Sequence, residues 1–324
     1  MLKNTINTYI AGFWRRTFAF IIDLLIISFF SYCIFTIFQS WIYNHPILST
    51  LLGYIFVVLY FGLLNSALNN GQTLGKFFLK LQVIELTSQD SQPLSLIKSI
   101  IRAAILLAPF CLFSLTQNTP HILSTILNVI LMSTLAALIY LFICNRKNRR
   151  SLHDYITGSL VININSEPEP LQKIWPMHRY ILSGLLIILA AVNIWISIAT
   201  DQENKSIVQL NNPKIISTTE FHTFSQEDEQ YPTFSVYVIR VTNPQLVDSE
   251  LFAEEVVDQL KSNPKTLQIL NSKTNSSILF LVASYQFGVL SQNHAALYEI
   301  SYESDNHFNI SMIQSNRNFK IGSF

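Results

Sequence analysis

Residues 18–38, FAFIIDLLIISFFSYCIFTIF, form an uninterrupted apolar run in which Asp23 is the only charge. At about 1.5 Å of rise per helical residue, a run of this length crosses the ~30 Å hydrocarbon core of a bilayer. Three more runs of this kind lie at residues 47–68, 122–143 and 180–199. A fifth, residues 97–115, is weaker. It carries Lys98 and Arg102 in its first turns and Pro109 further on, so a crossing helix and a re-entrant or interfacial one both fit it. The composition agrees with a membrane setting: of 324 residues, 50% are hydrophobic and 13% charged.

Charge placement decides between four crossings and five, because short cytoplasmic loops are rich in Lys and Arg and short exported loops lack them. With five crossings, all the basic residues that precede the last run fall inside, and the two short outer loops, residues 39–46 and 116–121, contain none. With four, the cluster Arg146, Lys147, Arg149 and Arg150 would be exported. The expectation is therefore a cytoplasmic N-terminus and an exported C-terminal domain. The first run exceeds the 7–15 residues of a signal-peptide core and no small-residue cleavage site follows it, so it reads as an anchor.

Near Asp201 the pattern changes. The remaining residues are polar and acidic, with 8 Lys and Arg against 14 Asp and Glu, whereas the first 200 hold 13 against 6. All three cysteines, Cys33, Cys111 and Cys144, lie in or at the end of apolar runs, so no disulfide can staple the tail. Residues 233–242 and 277–285 read as strands. Between them, Asp248 or Ser249 can cap a helix with Leu251, Phe252, Val256, Val257 and Leu260 on one apolar face, and Asn263 with Pro264 can start a second. Alternation at Tyr298, Ile300 and Tyr302, and again at Phe308, Ile310 and Met312, predicts an antiparallel hairpin turning at Asp305 and Asn306. The expected fold class is thus an α-helical transmembrane bundle of about five spans followed by a small α+β domain with an antiparallel sheet. Its segments are residues 1–164, a linker and fifth span over 165–200 (span 180–199), and the extracytoplasmic domain 201–324.

The tail offers no nucleophile elbow, phosphate loop, zinc spacing or catalytic carboxylate pair. Its His222, His294 and His307 are scattered, and the acidic run Glu227, Asp228, Glu229 reads as a solvated loop. Asn-x-Ser/Thr patterns begin at Asn204, Asn275 and Asn309 and matter only in a eukaryotic secretory route.

The membrane half says more. Arg16 and Asp23 stand seven residues apart, about 10 Å along one helix face, too far for an i,i+4 pair. Arg16 is expected to snorkel to the headgroups, leaving Asp23 in need of a partner. Arg102 enters the third span from the same side, so a buried Asp23–Arg102 pair is the expected solution. Asp154 is expected to close a salt bridge or cap a turn, with Arg16 or the basic cluster as partner, or to join His153 in a proton relay.

Arg16, Ala19 and Asp23 leading a first span, with Asp154 behind a basic cluster, resemble the Arg, Asp and Asp for which the bacterial RDD family is named. The loop Gly71, Gln72, Thr73, Leu74, Gly75, Lys76 resembles the family's loop after its second span, followed by Val83 in extended form. Arg102 falls where the family often places an arginine, and Arg150, Ser151, Leu152, His153, Asp154 with Gly158 resembles its closing motif. The similarity covers about residues 9–164. The loop is no P-loop: its glycines stand four apart and Phe77 follows Lys76. Gly71 and Gly75 are expected to allow a tight turn against the membrane, with Lys76 and Lys80 meeting anionic lipid.

The resemblance implies a multi-pass protein of the bacterial inner membrane, and two functions follow. One is a small-solute or monovalent cation/proton transporter using Asp23, its pKa set by Arg102 or Asp154, which five spans would require to be a homo-oligomer. The other is a lipid-embedded scaffold or sensor whose exported domain binds a protein partner. An enzyme, a cofactor, a metal site and a nucleic-acid partner are not expected.

Overall fold

A computed structural model describes residues 7–8, 10–86, 92–117, 121–145, 148–165, 169–170, 175–205, 210, 212–224, 232–271, 276–304 and 307–319. A two-residue strand, β1 (Asn7–Thr8), pairs with β4 (Glu169–Pro170) beside the start of the bundle. The bundle itself comprises α1 (Phe13–Ile37), a short α2 (Gln39–Asn44), α3 (Pro46–Leu64), α5 (Leu96–Cys111), α6 (His121–Cys144) and α8 (Met177–Lys205). Four stretches, Phe13–Ile37, Pro46–Leu64, Ile122–Cys144 and Met177–Ile198, are long and apolar enough to cross a membrane. They are also apolar on their outward sides. Phe18, Phe29, Leu25, Ile187 and Trp195 are exposed, as lipid-facing residues are.

The weak fifth run forms α5, which is not among the helices long and apolar enough to cross a membrane but lies along the length of α3. α5 runs antiparallel to α3: Ile100 lies against Gly62, Tyr54 donates to the Ala104 carbonyl at 2.9 Å, and Ser114 meets Thr50 at 3.2 Å. With 16 residues it is short, and a 3-10 turn at Phe113–Gln117 completes the distance. α6 then starts at that same end, where the Ser124 hydroxyl donates to the Thr116 carbonyl. A re-entrant segment would have turned back; this one does not. α8 returns along α6, with Tyr140 against His178 at one end and Thr125 against Ser197 at the other. The five long helices, running back and forth, leave the family motifs at one end of the bundle and the C-terminal domain at the other.

At the motif end, α4 (Leu74–Phe78), β2 (Leu81–Glu85), α7 (Leu152–Thr157) and β3 (Ser159–Asn163) form a small cap in which β2 and β3 pair antiparallel. The C-terminal domain is one five-stranded sheet in the order β5 (Ile215–Phe224), β6 (Pro232–Val241), β7 (Ser276–Phe287), β8 (Leu290–Ser304), β9 (His307–Phe319). Two helices, α9 (Glu250–Lys261) and α10 (Pro264–Leu270), connect β6 to β7. That crossover makes β6 and β7 parallel, so the sheet is mixed where an antiparallel one was expected; the other three ladders are antiparallel. Parallel neighbours need a crossover connection, and α9 with α10 supplies it between β6 and β7.

The predicted caps form: Ser249 Oγ accepts from Phe252 N, and Asn263 Oδ1 accepts from Lys265 N. Phe252, Val256, Val257 and Leu260 pack on Tyr237, Ile239, Leu279, Leu281 and Tyr298. Leu251 does not; it is 79% exposed, because it falls a third of a turn off that face. The β8–β9 pairs Tyr298↔Met312 and Ile300↔Ile310 follow the predicted alternation, while the turn at 305–306, the acidic run 227–229 and Asn275 lie outside the described residues.

The domain is not merely tethered behind the last helix. The β7–β8 hairpin reaches into the domain end of the bundle between α1, α2, α3 and α5. Gly288, in the left-handed region at φ +60, sits so close to α3 that a Cβ on Gly53 would lie 2.0 Å from its nitrogen. Ser49 Oγ donates to the Gln286 carbonyl at 3.0 Å, Gln286 Nε2 donates to the Phe110 carbonyl at 3.3 Å, and Tyr285 donates to Tyr43 at 2.6 Å. Phe35 stacks on Tyr285 at 5.8 Å, and Phe287 packs against Phe56. Burying one such aromatic contributes on the order of 1.5–3 kcal/mol, so this hairpin is a structural part of the bundle.

Candidate functional site

Two buried carboxylates organise the motif end: Asp154 takes the Arg16 partner and the capping role expected of it, whereas Asp23 does not take the partner expected of it. Asp23, fully buried in α1, accepts from Thr73 Oγ1 at 2.5 Å, from the Gly75 backbone N–H at 2.8 Å and from Tyr60 OH at 3.1 Å. The expected Asp23–Arg102 pair does not form. The physical reason is the loop of residues 71–76, which folds back onto α1 and supplies uncharged donors. Gly75 allows it, since a Cβ there would stand 2.1 Å from the Ala19 carbonyl oxygen. Gly71 turns the chain at φ +67, and Gln72 Nε2 ties the loop to the Leu81 carbonyl. Lys76 does not reach outward to lipid. Its ammonium donates to Asn65 Oδ1 at 2.7 Å inside the cap, whereas Lys80 is exposed.

Asp154, also fully buried, is the partner of both arginines. Arg16 Nη2 donates to Oδ2 at 2.9 Å and Arg102 Nε to Oδ1 at 3.0 Å, so Arg16 is drawn inward and does not snorkel. The Ser151 N–H reaches Oδ2 at 3.2 Å in a capping box, and Ser159 Oγ reaches Oδ1 at 3.0 Å. Arg16 also bonds the Arg149 carbonyl, and Arg150 donates to the carbonyls of Asp154 and Ser159. Tyr60, Asn65 and Ser159 are the residues that sequence reasoning missed. They lie 37, 11 and 5 residues from Asp23, Lys76 and Asp154 respectively, and no periodicity marks them.

The electrostatics follow from the contacts. Burial alone would raise the Asp154 carboxyl, but His153, Arg102, Arg16 and the Ser151 N–H outweigh it and hold it well below the usual range. Burial, with Arg102 and Arg16 adding to it, pushes His153 down to about 3, so its ring is neutral and the lasting positive charges are the two arginines. Arg102 Nη2 has only donors, so His153 Nε2 must accept from it at 3.1 Å and the proton sits on Nδ1. Burial and then Arg102 lower the Lys76 ammonium to about 7. Among the described residues no group of three His, Cys, Asp or Glu is placed to hold a metal ion.

A carboxylate offers about four acceptor positions. Asp154 has four donors on it and Asp23 three, so this end is a clamp: a charged hub at Asp154 and an uncharged one at Asp23, together fixing α1, α3, α5, the loop and α7. Beside the clamp lies a cavity of about 200 Å³ whose wall includes Arg16, Lys76, Arg102 and His153.

A multi-pass membrane domain with a buried Arg–Asp–Arg clamp at one end and a mixed-sheet domain docked at the other is the class that this geometry defines. The family model described as RDD family matches residues 10–158, and that part of the chain belongs to the RDD family. No curated protein and no solved structure was found to match the chain.

Proposed function

We propose that the chain is a membrane-embedded scaffold. Its RDD bundle, locked by the two carboxylate hubs, holds the C-terminal domain in a fixed seat on the opposite face, where that domain meets a protein partner. The saturation of Asp154 carries this reading. With two guanidinium groups on one carboxylate, the hub is net positive and has no free acceptor position to offer a cation. The hairpin seat supports it from the other end. By the distribution of basic residues the motif end faces the cytoplasm and the domain is exported, and the family resemblance makes the membrane a bacterial inner membrane. On this reading the protein is neither an enzyme nor a nucleic-acid binder.

One arrangement favours the other reading, a small-solute or monovalent cation/proton transporter in a homo-oligomer: Lys76 Nζ stands 3.4 Å from Thr73 Oγ1, the hydroxyl that donates to Asp23, and burial lowers this ammonium to about 7. Cation- or pH-driven flux in inverted vesicles separates the two. The scaffold predicts no flux above protein-free vesicles for the parent or for Asp23→Asn at equal abundance. Flux in the parent that Asp23→Asn abolishes would establish transport instead.

A further inference from the structure

The cavity beside the clamp has a chemical polarity that neither reading uses. Its motif end is walled by Arg16, Lys76, Arg102 and His153, and no Asp or Glu is among its lining residues. Toward the domain end the wall becomes Leu106, Phe110, Leu135 and Ile139, with Phe20 and Phe61 on the α1 and α3 side. A second cavity, of about 290 Å³, adjoins it and shares Arg16 and Phe142, with Arg149 as a further cation. Arg16, Lys76 and Arg102 bring three cationic side chains to this wall, and Asp154 pairs with only the two arginines, so one positive charge in excess is left on an apolar-walled cavity where a further anion is favoured.

The donors there are also incomplete. His153 is 5% exposed and its Nδ1, which carries the proton, has no hydrogen-bond partner among the described residues. The bonds to Asp154, Arg149 and His153 engage Nη1 and Nη2 of Arg16 and Nε and Nη2 of Arg102. An unfilled donor among cationic side chains at one end and an aliphatic slot at the other match one kind of ligand: an anionic head on an acyl chain.

The geometry points to a binding site for one anionic acyl lipid, its phosphate or carboxylate held by Arg16, Lys76, Arg102 and His153 Nδ1 and its chain lying between α1, α5 and α6 against Leu106, Leu135 and Ile139. The site stands apart from the scaffold reading, since a lipid can complete the bundle whatever the exported domain binds. An oxygen of the head would accept the His153 proton donor, and the arginines would stay on Asp154 through their remaining nitrogens. The narrow wall favours a single chain of the lipid, with the neighbouring cavity at Arg149 as the way in for the head.

The full chain, purified in a mild detergent and incubated in turn with phosphatidylglycerol, phosphatidylcholine and oleate, is read by native mass spectrometry. The expected result is one retained molecule per chain, with phosphatidylglycerol or oleate held at least tenfold better than phosphatidylcholine; the arm retained at the lower concentration identifies the source as membrane lipid or free fatty acid. Equal retention of phosphatidylglycerol and phosphatidylcholine, with no oleate held, would overturn the proposal on the parent alone. Leu135→Trp should occlude the slot and lower retention at least tenfold, and Lys76→Gln should lower retention of the anionic probes severalfold without changing phosphatidylcholine. Unchanged retention in both variants would also overturn it.

Discussion

Replacing Gly53 with Ala tests the hairpin seat at its tightest point. The added methyl would lie 2.0 Å from the Gly288 nitrogen and 2.8 Å from the Phe287 carbonyl carbon. Both are backbone atoms, so no side chain can swing away. Ordinary contact begins at 3.4 Å, so the hairpin tip must retreat by more than 1 Å from α3. Overpacking of this kind costs about 1–3 kcal/mol, and a retreat also stretches the Ser49–Gln286 and Tyr43–Tyr285 bonds, each worth about 1 kcal/mol. Ala in place of Gly returns about 1 kcal/mol of helix propensity. A net cost of about 1–3 kcal/mol corresponds to roughly a 5- to 150-fold rise in the unseated population. Gly184 is the control: in α8, with nothing within 4 Å of its would-be Cβ, Gly184→Ala should be neutral or stabilising. Limited proteolysis of the β7–β8 hairpin in detergent, alongside thermal unfolding, reads both. Gly53→Ala should be cleaved faster and melt lower, and Gly184→Ala should not. A Gly53→Ala protein as protected as the parent would refute the seat.

Two further outcomes follow from the clamp. Asp23→Arg combined with Arg102→Asp should not restore the stability lost in either single variant, because Asp23 is held by Thr73, Gly75 and Tyr60 and Arg102 by Asp154; recovery of the parent's melting temperature would show that the two residues pair. Lys76 gives a pH dependence. Its folded pKa of about 7 lies below the ordinary 10.5, so from pH 7 to 10.5 the unfolded chain binds the extra proton and stability rises with pH; the burial penalty is fully present below 7. Lys76→Met should flatten that slope in unfolding curves taken across this range, and an unchanged slope would remove Lys76 as its cause.

The span pattern and the RDD motifs were legible because each is a local property, a run length or a spacing. The placement of Gly71 and Gly75 in one loop was legible too, but its purpose was not: a sequence shows that Gly75 lacks a Cβ, not that Ala19 stands where the Cβ would go. The Asp23–Arg102 expectation failed for a related reason. Counting charges at similar depth finds cations, whereas the donors that reach Asp23 are a hydroxyl pair and a backbone amide, which carry no charge signal. In the tail, the strand–helix–strand order already allowed the parallel β6–β7 pair. The hairpin at Gly288 was hidden because residues 277–297 alternate little, and its strands pack on the domain's own core at one end and on the bundle at the other.

α5 shows why the fifth crossing read as weak. Hydropathy scores a helix as though lipid surrounded it, and α5 is instead walled by α3 on one side and faces the cavity on another, with Arg102 committed to Asp154. An unpaired Arg at a helix centre costs about 2.5–3.5 kcal/mol on insertion scales, so the seating of α5 should depend on that carboxylate. Cys111, at the far end of α5, reports it: the thiol is buried in the parent, while Cys33 is partly accessible and Cys144 exposed. In Asp154→Asn, two buried guanidinium groups lose their counter-charge, a loss of about 3–5 kcal/mol, and α5 should unpack from α1 and α3 as Arg102 turns to water. Maleimide labelling of the purified protein should then reach Cys111 in the variant and not in the parent, with Cys144 labelled equally in both. A variant that melts lower yet keeps Cys111 unlabelled would mean that Asp154 stabilises the cap alone and that α5 is seated by its packing on α3.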